Sequence, residues 1–379
     1  MQVAAPDRDE LRRLTELRLD RPVVLSLYLD LDPAEFATPP ARATAIRSLL
    51  DEADRRLRDH DGLTHEDRAE LQTSLERART LLERDLNAEG AHAFALFASE
   101  SADLFEPMKL PRSVRNRVEI GRSPLVGPLA RLERRDRWCV ALVSRRDARL
   151  FRGSPDGLRE IEQIHDTVFG QHDQGGLAQA RYQRGIEKEK DDHLKNTAER
   201  LMKHYKRRPF QHLIVGGTRE VTADFETKLH GYLAEILAGR IEVDVDRSSP
   251  EEVLEDAQPH FDELDEEREA EALDRLGEGG RAAAGLDETL RALNERRVET
   301  LLLHEQFSAP GVSCPDCGWL GPGAQRTCPV DGRELDQLED LTDAAIELAL
   351  QGASEIMAMR HRRDEFEERA GGVAALLRF

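Results

Sequence analysis

Short apolar runs alternating with longer amphipathic stretches are the feature that most constrains the fold of this 379-residue chain. Residues 22–30, 138–143, 240–245, 298–304 and 373–377 have the length and composition of strands, and the alternation of Leu25, Leu27 and Leu29 with other residues predicts that the first is half-buried. Residues 41–58, 222–237 and 286–296 have the apolar spacing of helices. This alternation predicts an α/β fold, and the length predicts two or three domains. Because only 5% of residues are aromatic, the cores must rely on Leu, Val, Ile and Ala.

The domain boundaries are predicted from breaks in this pattern. Residues 107–128 are punctuated by Pro and Gly, which is typical of a boundary. An acidic helix that begins at Pro250 leads into the last region, and residues 311–333 form a Cys-containing insertion there. We therefore predict an N-terminal α/β module, a middle module and a C-terminal α/β sandwich, at 1–128, 129–255 and 256–379.

The charge is distributed unevenly. The net charge is −20, which argues against nucleic-acid binding because phosphates are bound by Lys and Arg. However, residues 175–208 contain ten Lys or Arg and five Asp or Glu, whereas residues 251–274 contain twelve acids and one Arg. The sequence thus predicts a basic tip on an acidic body, although solvated helix faces would produce similar runs.

Several features point to a cytoplasmic chain without disulfides. No apolar run reaches the roughly 18–20 residues that cross a bilayer, and the first residues lack the apolar core of a secretory signal. The four Cys are too few for a disulfide framework at this length. We expect reduced thiols and a cytoplasmic location.

A glycine pair precedes the basic segment. Gly175 and Gly176 allow positive φ and a close backbone approach to a ligand. Arg181, Arg184 and Lys188 follow at helical spacing, so they could grip phosphates from one face. A predicted helix from 177 to 205 continues this segment to a basic end, which contains Lys203, Lys206, Arg207 and Arg208.

Several motifs in order resemble the archaeal and eukaryotic class-1 peptide release factors. Residues 175–184 resemble the family's Gly-Gly-Gln loop and the Arg-Phe-X-Arg that follows it, and 213–217 resemble its Ile-Val-Gly-Gly strand end. The last residues, 371–379, resemble its terminal Gly-Gly-Ile-X-X-Ile-Leu-Arg-Tyr. The similarity extends over about residues 129–379 and implies a three-domain translation factor that acts in the ribosomal A site.

The resemblance implies chemistry at the loop, with one departure. In the family, the Gln after Gly-Gly orients the water that hydrolyses peptidyl-tRNA, but Leu177 occupies that place here. Gln179 gives a Gly-X-X-Gln pattern with Gly176, which resembles the family's ribosome quality-control branch. Gly175, Gly176 and Gln179 are therefore the candidate catalytic residues for release or rescue. The alternative is a non-catalytic ribosome-hibernation factor, a role known in the same superfamily.

A second departure lies in the first module. Stop-codon readers carry Asn-Ile-Lys-Ser, whereas this chain has only Ile46, Arg47 and Ser48 at that place. We therefore expect no stop-codon decoding. The resemblance also implies the ribosome, with its rRNA and peptidyl-tRNA, and an elongation-factor-like GTPase as partners.

The Cys residues of the insertion have metal-ligand spacing. Cys314 and Cys317 form one knuckle, and Cys328 begins a second in which Asp331 stands where a fourth Cys belongs. Two such knuckles predict a zinc ribbon, here with three Cys and one Asp as the ligands that hold structural Zn²⁺. The alternative is a knuckle that has lost its metal.

Overall fold

The computed structural model describes residues 3, 6, 8–132, 137–165, 179–277, 281–304, 306–323 and 325–379. The chain forms two compact units, one from Met1–Arg134 with Asp265–Phe379 and one from Arg135–Leu264. Each predicted module contributes one main sheet, and the three module boundaries stay a prediction. The mixed α/β class is confirmed.

The N-terminal part of the first unit is a four-stranded antiparallel sheet covered by helices. Its strand order is β3-β2-β1-β4. The elements are α1 (Arg8–Glu16), β1 (Val24–Asp30), α2 (Pro39–Asp59), α3 (His65–Thr80) with a π-helical turn (Leu81–Asp85), β2 (Ala93–Ser99), β3 (Leu104–Leu110), β4 (Arg117–Gly121) and α4 (Gly127–Ala130).

Strand β1 is buried on both faces, so the prediction of a half-buried strand is wrong. Leu25, Leu27 and Leu29 pack with α2 and α3. Val24 and Tyr28, on the other face, join a core that includes residues of the C-terminal part of this unit. A central strand that is covered on both sides has no solvent face, and its apparent alternation reflected residue type alone.

The second unit is a five-stranded mixed sheet with helices on both faces. Its order is β7-β6-β5-β8-β9, and β5, β8 and β9 are parallel. The elements are β5 (Trp138–Val143), β6 (Asp147–Ser154), β7 (Gly157–His165), α5 (Gln179–Arg207), β8 (His212–Gly216), α6 (Arg219–Glu226), α7 (Gly231–Glu235), β9 (Leu237–Ile241) and the start of α8 (Pro250–Gly277).

Alternate side chains of β5 divide this unit into two cores. Cys139 and Ala141 face α5, α6 and α7, whereas Trp138 and Val140 face α8. The parallel, doubly covered strands are therefore continuous apolar runs.

The C-terminal part of the first unit contains a second main sheet and a small one. The main sheet has the order β10-β16-β11-β15, and the small sheet has the order β13-β12-β14. The elements are β10 (Ala282–Ala284), α9 (Leu286–Asn294), β11 (Val298–His304), β12 (Gly311–Ser313), β13 (Leu320–Pro322), β14 (Asp336–Leu338), α10 (Thr342–Gln351), β15 (Glu355–Met359), α11 (Arg363–Ala370) and β16 (Val373–Leu377). In the described ranges no helix combines the length and apolarity of a membrane span.

Candidate functional site

The predicted catalytic loop lies mostly outside the described residues. Gly175 and Gly176 fall in residues 166–178, which the structure does not describe. Gln179 is the first residue of α5, but its side chain and those of Arg181 and Arg184 are also outside the described part. Their predicted roles therefore stay predictions, and the described geometry concerns the helix that carries them.

Helix α5 presents one face to the sheet and the opposite face to solvent. Its 29 residues span about 43 Å. Leu194, Ala198 and Leu201 are buried against β5 and β8. At 100° per residue, Lys188, Lys203 and Lys206 lie on the opposite side, and all are exposed. The helix therefore packs on the sheet by one face, and its outer face carries these lysines together with the exposed Asp192 and Glu199.

The N-terminal half of α5 is fixed to its neighbours by ion pairs. Lys190 is 8% exposed, and its Nζ lies 2.8 Å from Oδ2 of Asp224 in α6. That hydrogen bond raises the pKa of Lys190. Asp191 accepts from Lys195 and Lys228, each at 2.5 Å, and these bonds lower its pKa to about 2. The half of the helix nearest the glycine pair thus has a defined position on the sheet.

The other described flank of the loop is strand β7. Its last residue, His165, contacts the Asp147 carboxylate through Nδ1, and Asp147 begins β6. The Ser144 hydroxyl accepts the Asp147 N–H at 2.9 Å. Residue 165 is therefore held at the turn that joins β5 to β6.

The basic end of α5 is open to solvent. Lys203, Lys206, Arg207 and Arg208 are exposed, and none forms an ion pair with a carboxylate in the described ranges. Arg200 and His204, by contrast, contact Glu162. The end of the helix thus carries positive charge that the described part of the chain does not neutralise.

The residues at the position of the stop-codon motif, 46–48, belong to α2. Ile46 is 9% exposed and packs in the core with Leu49 and Leu50, whereas Arg47 and Ser48 face solvent. This segment is an ordinary amphipathic helix, in which the apolar side supports the sheet.

The three knuckle Cys residues and Asp331 converge in space, as their spacing predicted. One ligand atom from each of Cys314, Cys317, Cys328 and Asp331 lies within 4.8 Å of all the others. The Sγ atoms of Cys317 and Cys328 are 3.5 Å apart, and Cys314 Sγ is 3.3 Å from Asp331 Oδ2. A tetrahedral zinc with Zn–S bonds of about 2.3 Å needs ligand separations of about 3.8 Å, so this donor set fits a metal ion.

Two tight turns aim these ligands inward. Gly318 has φ +72° and Gly332 has φ +73°, which other residues rarely adopt. Their N–H groups donate to the carbonyls of Cys314 at 3.0 Å and Cys328 at 2.9 Å. The backbone N–H of Arg333 lowers the pKa of Asp331 to about 2, so the carboxylate is ionised at neutral pH.

A charged network between the two parts of the first unit was not predicted from sequence. Asp343 in α10 is 5% exposed and contacts Arg117 of β4 and, at 3.4 Å, Arg131. Glu347, one turn later, accepts the Val126 N–H at 3.3 Å. Burial raises the pKa of Glu347 to about 8, and Asp343 adds to this effect.

Glu347 should make the first unit less stable at alkaline pH. Its pKa is higher in the folded state than in the unfolded state, so its contribution is complete below about pH 4.5 and is lost as pH rises through about 8. We expect Glu347→Gln to reduce the fall in the urea unfolding midpoint between pH 6 and pH 9. Glu339→Gln, at an exposed carboxylate, is the control and should fall like the wild type. An equal fall in all three proteins would contradict the assignment.

Comparisons with known proteins find similarity to release factors. Residues 124–262 match the family model described as Bacterial archaeo-eukaryotic release factor family 10. Peptide chain release factor subunit 1 of Methanopyrus kandleri is 27% identical over 200 residues, which cover 50% of this chain. The match spans about half of that relative, 48% of its length.

Solved structures of similar proteins match over most of the chain. The archaeal translation termination factor aRF1 has 18% identity and a TM-score of 0.28, with 99% of each chain covered. Archaeoglobus fulgidus Pelota has 18% identity and a TM-score of 0.35, with 76% of this chain and 79% of that chain covered.

Proposed function

This chain is a divergent, release-factor-like protein, and we propose that it binds in the ribosomal A site and hydrolyses the ester of peptidyl-tRNA. The observation that carries the proposal is the exposure of Lys188, Lys203 and Lys206 on the outer face of α5, the helix that follows directly on the glycine pair. A long helix with net positive charge and a glycine pair at one end is suited to enter a narrow space lined by phosphates, because its Lys and Arg side chains can bind them.

The proposed reaction is attack by water on the ester carbonyl carbon. Gln179 accepts a hydrogen bond from the water and donates one to the tRNA end, which aligns the oxygen for attack. The ester C–O bond then breaks, the peptide leaves as a carboxylic acid, and the ribose oxygen takes the proton. Such a step depends on orientation and needs no strong base in the protein.

The remaining basic residues hold RNA in this proposal. Arg181, Arg184 and Lys188 bind near the tRNA acceptor end, and Lys203, Lys206, Arg207 and Arg208 bind rRNA farther along the helix. Because residues 46–48 lack the Asn-Ile-Lys-Ser motif, the proposed activity is the rescue of stalled ribosomes without stop-codon decoding.

A second candidate is occupancy of the A site without hydrolysis, as in hibernation. Leu177 favours it, because an apolar residue follows Gly176 where the family has its water-orienting Gln. Ribosomes with labelled peptidyl-tRNA in the P site distinguish the two. Released peptide supports hydrolysis, and binding without release supports hibernation.

We also propose two accessory components. Structural Zn²⁺ is held by Cys314, Cys317, Cys328 and Asp331, and it fixes the insertion within a C-terminal module at 256–379. An elongation-factor-like GTPase docks on that module and delivers the protein to the ribosome. In this proposal the middle module, 129–255, is the part inserted toward the peptidyl-tRNA, and the N-terminal module, 1–128, belongs to the remaining body of the protein.

Charge reversal on the outer face of α5 should weaken ribosome binding strongly at moderate salt. We expect the triple variant with Lys188→Glu, Lys203→Glu and Lys206→Glu to bind at least tenfold more weakly in sedimentation assays at about 150 mM salt, because phosphate contacts dominate such affinity. The control reverses Arg145 and Arg247, exposed arginines of the same unit that already lie near carboxylates. Unchanged binding by the triple variant would remove α5 from the interface.

A further inference from the structure

Four arginines gather beside the C-terminal end of α5, and of these the proposed function uses only Arg208. Arg152 of β6 is directly opposite Arg159 of β7 in the strand register, so both side chains leave the same face of the sheet. The Arg137 carbonyl accepts the N–H of Gln211, which follows α5, at 2.8 Å. Arg208 begins the same connection, directly after α5, so the four arginines come from different parts of the unit.

One of these arginines has a structural role. Arg152 donates from Nη2 to the carbonyl oxygens of Arg208 at 2.6 Å and His204 at 3.3 Å. Its guanidinium carbon also lies 5.7 Å from the centroid of the Phe210 ring. Arg152 therefore caps the carbonyl end of α5 and covers the negative end of the helix dipole.

The other three arginines have no such role. Arg137, Arg159 and Arg208 are exposed, and their guanidinium groups form no ion pair within the described ranges. Glu162, on the same strand as Arg159, is engaged by Arg200 and His204. Burial, together with Arg208, Arg137 and Arg159, lowers the pKa of Arg152, which reports their proximity.

Concentrated, unneutralised positive charge is costly in an isolated protein. Like charges on directly opposed strand residues destabilise a sheet, and this chain has 75 acidic residues that could have neutralised them. An external anion would relieve the repulsion. The planar guanidinium fork matches phosphate oxygens, and several arginines at one place match a chain of phosphates.

We propose that Arg137 and Arg159 join Arg208 in binding the phosphate backbone of double-helical RNA, at the far end of α5 from the glycine pair. This inference rests on the proposed function in taking RNA as the polyanion. This contact and the one at the glycine-pair end of α5 would be separated by about the 43 Å length of the helix, so the second unit would bridge two RNA sites.

The test is the salt dependence of binding to a short RNA duplex. Each lost phosphate contact lowers the slope of log affinity against log salt by about 0.9. We expect the double variant Arg137→Gln with Arg159→Gln to have a slope about 1.8 smaller than that of the wild type. Between 50 and 200 mM KCl, its affinity should therefore fall by a factor about tenfold smaller than the factor for the wild type. Circular dichroism checks that the variant is folded.

The matched control is Arg145→Gln with Arg247→Gln. These arginines belong to the same unit, are 61% and 88% exposed, and lie within 4.0 Å of a carboxylate, so their slope should equal that of the wild type. An unchanged slope in the Arg137 and Arg159 variant overturns the inference, even if ribosomes are bound and peptide is released. A reduced slope with no ribosome binding by the wild type would instead overturn the proposed function and leave the inference standing.

Discussion

Replacing Gln179 with alanine is expected to slow peptide release by about 100-fold while ribosome binding stays within twofold of the wild type. The side chain is proposed to orient the attacking water, and misplacement of a reacting group by about 1 Å costs about this factor. The assay mixes purified protein with ribosomes that carry labelled peptidyl-tRNA in the P site. Filter capture measures released peptide, and sedimentation measures binding.

The matched control is Gln183→Ala. Gln183 lies four residues later in α5, so its removal tests the general loss of a glutamine from the same helix. Release by this variant should equal that of the wild type. Release that survives Gln179→Ala would exclude the water-orienting role, whereas a wild type that binds and never releases would leave the hibernation candidate.

Replacing Cys328 with serine should remove the metal from the insertion. We expect about one equivalent of zinc per chain in the wild type and less than about a tenth in Cys328→Ser, because loss of a thiolate opens a site whose ligands fold around the ion. Elemental analysis of the purified proteins measures this. Proteolysis between residues 311 and 333 should increase in parallel.

Cys139→Ala and Asp331→Cys make this test specific. Cys139 is buried in β5, away from the cluster, so its variant should keep the full equivalent of zinc. Asp331→Cys gives the site four thiolate ligands and should hold zinc more tightly than the wild type against a chelator. Less than about half an equivalent in the wild type would contradict the zinc proposal.

Elements with continuous apolar runs were predicted most accurately from the sequence. Residues 298–304 and 373–377 were predicted as strands and are β11 and β16, because both are central and covered on both faces. The long helices were also located, with α5 predicted at 177–205 and found at Gln179–Arg207. Length and charge made that pattern unambiguous.

Edge and irregular elements were missed for physical reasons. Strand β7 is largely exposed at the edge of its sheet, so it has no apolar run. Strand β3 contains Pro107, which an edge strand tolerates but which reads as a boundary in sequence. The helix predicted at 222–237 is divided, since α6 ends at Glu226 and α7 begins at Gly231. The strand predicted after it begins earlier, at Leu237.

Sites formed by residues close in sequence could be predicted from their spacing, whereas sites formed by residues far apart in sequence could not. Cys314 and Cys317 lie three residues apart in one knuckle, and Cys328 begins the second. This metal-ligand spacing predicted that the three Cys converge. The contact of Arg117 with Asp343 joins residues 226 apart, and no local pattern indicates it. The arginine cluster was missed for the same reason, because the strand register brings Arg152 and Arg159 together.

Electron cryomicroscopy of the protein bound to ribosomes with P-site peptidyl-tRNA shows whether the glycine pair and α5 enter the ribosome. We expect density for residues 175–190 beside the ester of the P-site tRNA, with Lys188, Lys203 and Lys206 of α5 against large-subunit RNA. Density for the protein elsewhere on the ribosome, with α5 facing solvent, would contradict it.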